Sequence, residues 1–157
     1  LEHNGFRGVA VNLVEPYLGN RKQCVSIKDK SSSLLDINTG VPQGSVLGPV
    51  LFTIYVNDIV RVSENVEFSV YADDTTLFLQ SDDVSNLSIL AQDALEKLQK
   101  WSEVNSLVNN AAKTKAVLFK PTNKKIYSSL DLHLGDKEIG IVQHVKILVV
   151  SFSEDLN

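Results

Sequence analysis

The sequence predicts an α+β fold in which helices pack on one face of an antiparallel sheet. Residues 84–101 repeat apolar side chains at helical spacing, and residues 47–59 form a second, strongly apolar helical segment. Residues 66–79, rich in Val, Phe, Tyr and Thr, have the pattern of a β-hairpin. With 157 residues, 43% of them hydrophobic, the chain is long enough to bury one core.

The first predicted elements are a helix and two paired strands. Apolar residues at helical spacing predict a helix over residues 5–18, although Pro16 removes a backbone donor and would kink its last turn. Residues 23–27 alternate as a strand does, and residues 34–37 are the expected partner across the intervening turn.

A Gly- and Pro-containing loop precedes the apolar helix. Residues 40–44 have the composition of a loop, and the helix after them has two plausible starts. Ser45 could cap it through its hydroxyl, or Gly48 could be the N-cap with Pro49 at the first helical position. Because apolar residues lie on most sides of this helix, we expect it to be buried.

The second half of the chain predicts one long helix followed by short strands. The helix at residues 84–101 should be capped near Ser81 and Asp82. A polar loop leads to a strand at residues 116–119, and residues 130–152 form strand-like segments with a tight turn at Gly135-Asp136. The helix residues expected to be buried against the sheet are Val84, Leu87, Leu95, Leu98 and Trp101.

Bulk composition excludes several classes of protein. Charged residues make up 22% of the chain and its mean hydropathy is +0.00, which argues against disorder. The single cysteine, Cys24, excludes a disulfide framework or a multi-thiolate zinc site and suits a reducing compartment. No apolar run is long enough to span a membrane. We therefore expect an intracellular protein, cytoplasmic or nuclear, that is not secreted. Because methionine is absent, we also expect the chain to be cut from a longer one.

Charge is distributed unevenly along the chain. The net charge of −4 by itself argues against nucleic-acid binding. However, no basic residue occurs between Arg61 and Lys97, a stretch with many acids, and no acid occurs between Lys113 and Lys125. One interpretation is a solvated surface. The other is an acidic centre for metal beside a basic track for phosphate.

Two adjacent carboxylates, Asp73 and Asp74, interrupt the otherwise apolar hairpin. The simplest interpretation is a turn, because Asp tolerates turn geometry. The functional interpretation is a metal site, since neighbouring carboxylates repel each other unless a cation holds them. Hard oxygen ligands suit magnesium, which takes one or two protein carboxylates together with substrate phosphates.

The loop before the apolar helix is the second candidate site. It is either an ordinary turn or a surface on which the exposed amide of Gln43 contacts a nucleotide or template base. Its glycines would allow nucleic acid to approach the backbone closely.

These motifs, in this order, resemble those of reverse transcriptases from non-LTR retrotransposons. The run GVPQGSVLGP at residues 40–49 resembles motif B, and YADDTTLF at residues 71–78 resembles motif C, the metal-binding hairpin. Residues 101–115 resemble the segment leading into motif D. Residues 1–27 are similar to the link between motifs A and B, and residues 146–157 to the primer grip and the start of the thumb.

The resemblance implies a polymerase palm and the division of the chain. Residues 1–129 would be palm subdomain carrying motifs B, C and D, and residues 130–157 the primer-grip hairpin and start of the thumb. The implied activity is RNA-templated DNA synthesis with two Mg²⁺ ions, within a longer retrotransposon polyprotein. The implied partners are an RNA template, a DNA primer, deoxynucleoside triphosphates and the upstream fingers and motif A segment. Because motif A and its metal-binding aspartate should precede Leu1, we expect the fragment alone to be inactive.

The resemblance also assigns roles to individual residues. Asp73 would be a direct magnesium ligand and a catalytic residue, and Asp74 a nearby catalytic acid with a weaker role. Lys115, or otherwise Lys113, would lie near the triphosphate; the alternative for both lysines is a solvated surface. The loop residues implied to bind template or incoming nucleotide are Pro42, Gln43 and Gly44.

Departures from the family pattern keep two alternatives open. The family usually has Gly where Val149 stands and Asp near Ser153, which is the drift that a decaying copy would show. The first alternative is therefore a degenerate, non-catalytic remnant that acts at most as a binding or structural domain. The second is a palm-type RNA-copying polymerase, which Ala72 disfavours because those enzymes usually carry Gly before the acid pair.

Overall fold

The computed structural model describes residues 5–120 and 130–154, which contain both helices and short strands. The predicted α+β class is therefore confirmed. The chain divides into two compact units, Leu1–Asn57 and Asp58–Asn157. The predicted subdomain boundary after residue 129 falls at a segment outside the described residues and stays a prediction.

The strands do not join into the continuous antiparallel sheet that the sequence predicts. Across the described ranges they pair two by two, in five antiparallel ladders and one parallel ladder. Each strand is only two to five residues long, and tight turns with positive φ interrupt the alternating segments. A short ladder has few backbone groups to offer a third strand, so the hairpins remain separate units of pairing.

In the first unit, helix α1 covers Val9–Leu18, with Pro16 in its last turn. It begins at Val9 rather than Gly5 because Gly8, at φ 57, leaves the helical conformation. At its end, Gly19 donates its backbone N–H to the Glu15 carbonyl at 2.9 Å.

Four short strands follow α1 and form two ladders. β1 (Arg21–Gln23) pairs with β4 (Leu35–Ile37), and β2 (Ser26–Ile27) pairs with β3 (Lys30–Ser31) inside the connection. The single strand predicted at residues 23–27 is therefore broken. The cause lies at Val25, whose N–H donates to the Ser32 hydroxyl at 3.0 Å and whose carbonyl accepts from the Ser32 N–H at 2.9 Å.

Helix α2 covers Leu47–Val56 and runs into a 3-10 helix at Asn57–Arg61. The expectation that α2 is buried throughout is wrong. Its buried residues are Gly48, Leu51 and Val56, whereas Val50 is 54% exposed. The burial of α2 is therefore only partial, although its apolar composition would suit a helix that is covered on all sides.

In the second unit, β5 (Glu67–Tyr71) and β6 (Asp74–Phe78) form the predicted hairpin. Helix α3 then covers Val84–Val104, three residues beyond the predicted end. Its N-cap is Asp83, whose carboxylate accepts the Asn86 N–H at 2.9 Å, rather than Ser81 or Asp82.

The predicted apolar stripe of α3 is only partly buried. Leu98 is buried at 7% exposure, together with the small residues Ala91 and Ala94. The other members of the predicted stripe are half-buried, namely Val84, Leu87, Leu95 and Trp101. The small strands packed against α3 cover its centre and leave its edges partly open to solvent.

The C-terminal strands pack on α3 through one apolar cluster. β8 (His133–Leu134) and β9 (Lys137–Glu138) enclose the predicted turn at Gly135-Asp136. The His133 N–H donates to the Gln92 side-chain carbonyl of α3 at 2.8 Å. The buried members of the cluster are Ala91, Leu132, Leu134 and Ile139.

The strand predicted at residues 116–119 is shorter than expected. β7 covers only Lys115–Ala116 and pairs in parallel with β10 (Gly140–Ile141). The last described element is an antiparallel hairpin of β11 (His144–Ile147) and β12 (Val150–Ser153). Within the residues that the structure describes, no helix has the length and apolar character needed to cross a membrane.

Candidate functional site

The two candidate metal-binding acids lie at the tip of the β5–β6 hairpin. The ladder closes with the pair Tyr71↔Asp74, so that Ala72 and Asp73 form a two-residue turn. Ala72 has φ 52, whereas Asp73 and Asp74 do not have positive φ. A positive φ at the first central residue matches the twist of an antiparallel hairpin. The turn therefore places Asp73 at the tip and Asp74 at the first position of β6.

Both carboxylates at this tip are free to accept a cation. Asp73 and Asp74 are exposed, and in residues 5–120 and 130–154 neither forms an ion pair. No group of three or more His, Cys, Asp or Glu side chains suited to a metal occurs among these same residues. Two exposed, adjacent carboxylates fit a hard divalent cation that takes its remaining ligands from water and phosphate.

The candidate loop is organised around the Ser45 hydroxyl. Ser45 donates to the Pro42 carbonyl at 2.6 Å and accepts the Gly48 N–H at 3.1 Å. Gly44 adopts φ 77 between these points, a conformation that suits glycine. As a result Gln43 and Gly44 are exposed while Pro42 is half-buried.

The N-cap residue of α2 is Val46, which forms no side-chain cap hydrogen bond, so neither Ser45 nor Gly48 is the N-cap as predicted. The Ser45 hydroxyl, one residue earlier, nevertheless accepts the Gly48 N–H of the first turn. Gly48 lies inside the helix, and its role is steric rather than capping. A Cβ on Gly48 would lie 2.9 Å from the Ser45 hydroxyl and 3.2 Å from the Pro42 carbonyl. Gly48 therefore permits the loop to fold back on the first turn of the helix.

The end of α3 and a short turn determine where Lys113 lies. Ser106, at φ 53, ends the helix while the Leu107 N–H donates to the Ser102 carbonyl at 2.8 Å. This is the bonding pattern of a Schellman motif, in which glycine is the usual residue at the left-handed position. Asn110 then accepts the N–H of Lys113 at 3.0 Å through its backbone carbonyl. Asn110 and the helix end thus shape the chain that leads to both lysines.

Lys115 begins β7 and lies beside Gly140 of the parallel partner strand. A Cβ on Gly140 would lie 3.4 Å from the Lys115 ammonium and 3.9 Å from its Cδ. The Lys115 side chain therefore extends across Gly140. Sequence reasoning missed Gly140, although a glycine within a strand is a known indicator of close approach by a neighbouring group.

The predicted site residues fall into both compact units. Asp73, Asp74, Lys113 and Lys115 belong to the second unit, and the loop around Gln43 belongs to the first. No hydrogen bond or ion pair joins the acid pair to either lysine in the described part of the second unit.

Sequence reasoning also missed the partner of Trp101. The Trp101 indole N–H donates to the Asp58 carboxylate at 3.2 Å, which connects α3 to the start of the second unit. Asp58 falls near the end of the apolar helical segment predicted at residues 47–59. An acid at the end of an apolar helix, where it is unfavourable for the helix dipole, is a signal for such a tertiary partner.

Comparison with known proteins identifies one family. A family model described as reverse transcriptase (RNA-dependent DNA polymerase) matches residues 9–150. The RNA-directed DNA polymerase from mobile element jockey of Drosophila melanogaster is 34% identical over 114 residues, covering 68% of this chain and 12% of the relative. The protein of the same description from Drosophila funebris is 32% identical with the same coverage.

A more distant relative points the same way. The probable RNA-directed DNA polymerase from transposon X-element of Drosophila melanogaster is 28% identical over 111 residues, with 68% of this chain and 12% of the relative covered. The chain thus spans about an eighth of the length of the curated relatives it matches, at 12%. No solved structure matches the chain.

Proposed function

The chain belongs to the reverse transcriptase (RNA-dependent DNA polymerase) family, and we propose that it carries the metal-binding hairpin of an enzyme that copies RNA into DNA. The relatives that it resembles are named as RNA-directed DNA polymerases of mobile elements. The longer protein would be a non-LTR retrotransposon polyprotein, in which this chain forms part of the palm.

The observation that carries the proposal is the geometry of the β5–β6 tip. The two-residue turn exposes two adjacent carboxylates, Asp73 and Asp74, which have no ion-pair partner within the described residues. A second turn provides an internal comparison. Gly135 and Asp136 form a two-residue turn with φ 61 at its first position, but Lys137 follows there instead of a second acid. The paired acids are thus a particular property of the β5–β6 turn.

In the proposed reaction the 3′-hydroxyl of a DNA primer attacks the α-phosphorus of a deoxynucleoside triphosphate. A new phosphorus–oxygen bond forms and pyrophosphate leaves. Asp73 would hold a divalent cation, Mg²⁺, and Asp74 would contribute negative charge beside it. A pair of such ions, when bound, stabilises the attacking and leaving oxygens.

The remaining candidate residues would bind the substrates. We propose that Gln43 and Gly44, which the loop leaves exposed, contact the RNA template or the incoming nucleotide. The half-buried Pro42 would support this surface. We propose that Lys115 contributes positive charge to the triphosphate, with Lys113 as the other candidate.

The proposal includes the segments that complete the enzyme. A motif A strand supplied by the longer protein would pair beside the β5–β6 hairpin and contribute a further aspartate, and the fingers would close over the nucleotide. Without them we propose that these 157 residues do not polymerise. The exposed free thiol of Cys24 supports an intracellular location, cytoplasmic or nuclear.

Magnesium titration tests the role of Asp73. Isothermal titration of the chain should show weak binding, since one or two carboxylates alone give few protein ligands. Asp73→Asn should weaken this binding further because it removes a charged oxygen ligand. Asp136→Asn is the matched control, since Asp136 occupies the same position in the other two-residue turn, and it should bind as the unchanged chain does. Tight binding that is independent of Asp73 would contradict the assignment.

A further inference from the structure

We propose that Tyr17 and Arg21 are positioning residues that hold the two ends of the loop at residues 40–45, here called the Gln43 loop. Tyr17 lies in the last turn of α1, and Arg21 is the first residue of β1. The inference rests on the proposed function, in which Gln43 and Gly44 contact template or nucleotide. It adds two residues, outside motifs B and C, on which the shape of that contact surface depends.

Arg21 holds the beginning of the Gln43 loop. Its Nη2 donates to the Thr39 carbonyl at 2.9 Å and to the Gly40 carbonyl at 2.6 Å. Its Nε donates to the Leu18 carbonyl, in the last turn of α1, at 3.0 Å. One rigid guanidinium therefore binds the end of a helix and the start of the loop at the same time. A lysine could not reproduce this arrangement, because its donors lie on a single ammonium.

Tyr17 holds the end of the Gln43 loop through Ser45. The Ser45 hydroxyl has one hydrogen to donate, and it is used on the Pro42 carbonyl. Its remaining bonds, to the Gly48 N–H and to the Tyr17 hydroxyl, must therefore be accepted. It follows that the Tyr17 O–H is the donor to Ser45.

The two contacts leave the centre of the loop open. Gln43 and Gly44 are exposed, and within the described part of the chain the Gln43 side chain forms no hydrogen bond. Thr39, Gly40, Pro42 and Ser45, by contrast, all take part in hydrogen bonds on either side of them. The loop is thus fixed at its ends and available for contact at its tip.

Holding the loop in this way would improve binding by preorganisation. A loop that is ordered in the free protein does not lose conformational freedom when it binds its ligand. Loosening either end should therefore weaken nucleic-acid binding without removing any group that touches the ligand. This distinguishes Tyr17 and Arg21 from Gln43, whose own loss would remove a contact.

The test measures loop order and binding in the same set of variants. Tyr17→Phe removes one hydroxyl, and Arg21→Lys keeps the charge but loses the planar fork. In the unchanged chain, ¹⁵N relaxation should give order parameters near about 0.85 at Gln43 and Gly44, as for rigid backbone. In the double variant, which carries both substitutions, these order parameters should fall below about 0.6, while those of α2 stay unchanged. A general loss of structure would instead lower the order parameters of the loop and of α2 together.

Lys22→Gln is the matched control, because Lys22 is the next residue of β1 and its ion pair with Asp36 is exposed. It should leave the order of the Gln43 loop as it is. Order parameters at Gln43 and Gly44 that are equal in the double variant and the unchanged chain would overturn the inference, as would a loop that is already flexible before substitution.

Binding separates this inference from the proposed function. The probe is a fluorescent RNA template–DNA primer duplex, titrated at low salt. If the double variant loosens the loop and raises Kd by about three- to tenfold, the positioning role is supported together with the role of Gln43. If the loop loosens and Kd is unchanged, Tyr17 and Arg21 still position the loop, and it is the proposed contact of Gln43 with nucleic acid that fails.

Discussion

At the scale of single residues, three of the four two-residue hairpin turns in the described part of the chain place a non-glycine residue in left-handed backbone. The first turn residue has positive φ at Lys28, Ala72, Gly135 and Leu148, each inside a two-residue connection. Only Gly135 is the residue that such a turn favours. A side chain in this conformation has a Cβ close to the following carbonyl, at a cost of about 1–2 kcal/mol. The tip that bears Asp73 is therefore a mildly strained turn.

Replacing Ala72 by Gly should stabilise the protein. Ala72→Gly removes the Cβ conflict at φ 52, but it also increases the freedom of the unfolded chain, which offsets part of the gain. We expect the free energy of unfolding to rise by up to about 1 kcal/mol. Urea denaturation followed by Trp101 fluorescence measures this change, since Trp101 is the single tryptophan of the chain.

A matched substitution at an unstrained position should change the free energy of unfolding in the opposite direction. Ala112 is exposed and does not have positive φ, so Ala112→Gly has no strain to relieve. It should lower the free energy of unfolding by about 0.4–1 kcal/mol through the unfolded chain alone. Equal losses in Ala72→Gly and Ala112→Gly would show that the turn at Ala72 is not strained.

At the scale of elements, α3 organises the second unit. Its N-terminus is capped by Asp83, its centre packs on β8 and on Leu132 and Ile139, and its C-terminus ends in the turn that leads to Lys113. An N-cap acceptor satisfies a backbone donor that the first turn of a helix would otherwise leave open. The same helix thus supports the C-terminal strands and the lysine segment, and its packing matters for both.

Truncating the buried centre of α3 should destabilise the protein strongly. Leu98 is 7% exposed, so Leu98→Ala leaves a cavity and should cost about 2–5 kcal/mol in a urea melt. The control is Ile89→Ala on the same helix, where the side chain is 68% exposed and the expected change is within about 0.5 kcal/mol. Similar costs at the two positions would mean that α3 packs through a different face.

Helix α2 is less buried than its apolar composition predicts. Its sequence is almost entirely apolar, yet Val50 is 54% exposed and Tyr55 is 48% exposed. A helix that is apolar on all sides needs neighbours on all sides to be fully buried. The composition of α2 therefore predicts burial on all sides, whereas the structure buries only Gly48, Leu51 and Val56.

At the scale of the whole molecule, the charge pattern divides between acid and base within the second unit. The acid-rich stretch carries Asp73 and Asp74, and the later stretch carries Lys113, Lys115 and Lys120. Lys124 and Lys125 lie outside the described residues. An acidic net charge, −4, need not prevent nucleic-acid binding when acids are concentrated where a cation binds and bases where phosphate does.

The 157-residue chain alone should not extend a primer on an RNA template in the presence of magnesium. Asp73 and Asp74 are not joined by a third metal-binding side chain in the described ranges, and two-metal catalysis needs ligands on both sides of the ion pair. Loss of one member of a catalytic unit removes nearly all of its effect. Gel-based primer extension measures this, with the chain extended upstream through motif A and the fingers as the comparison.

Two variants of the longer protein test whether primer extension depends specifically on Asp73. Asp73→Asn should abolish its extension activity, and Asp136→Asn should leave it intact. Extension by the short chain that disappears with Asp73→Asn would contradict the expected inactivity. If the longer protein is inactive as well, the degenerate remnant gains support, and Val149→Gly and Ser153→Asp are the first reversions to make.

Much of the architecture could be predicted because it depends on local chemistry. The positions of α3, the β5–β6 hairpin and the Gly135-Asp136 turn follow from side-chain periodicity and turn residues, which act within a few positions along the chain. The motif around Asp73 and Asp74 likewise predicted the family that the comparisons identify. Boundaries were less accurate, as at residues 116–119, since a strand extends only as far as a partner accompanies it.

The tertiary structure decided what depends on distant residues. The sequence alone determined which residues form the acid tip and the Gln43 loop, because both are contiguous motifs. It could not determine that Ser45 rather than Gly48 organises α2, that Gly140 accommodates Lys115, or that Tyr17 and Arg21 hold the Gln43 loop. These contacts depend on hydrogen-bond geometry or on close packing. Neither kind of contact produces a periodic pattern of residue types in the sequence.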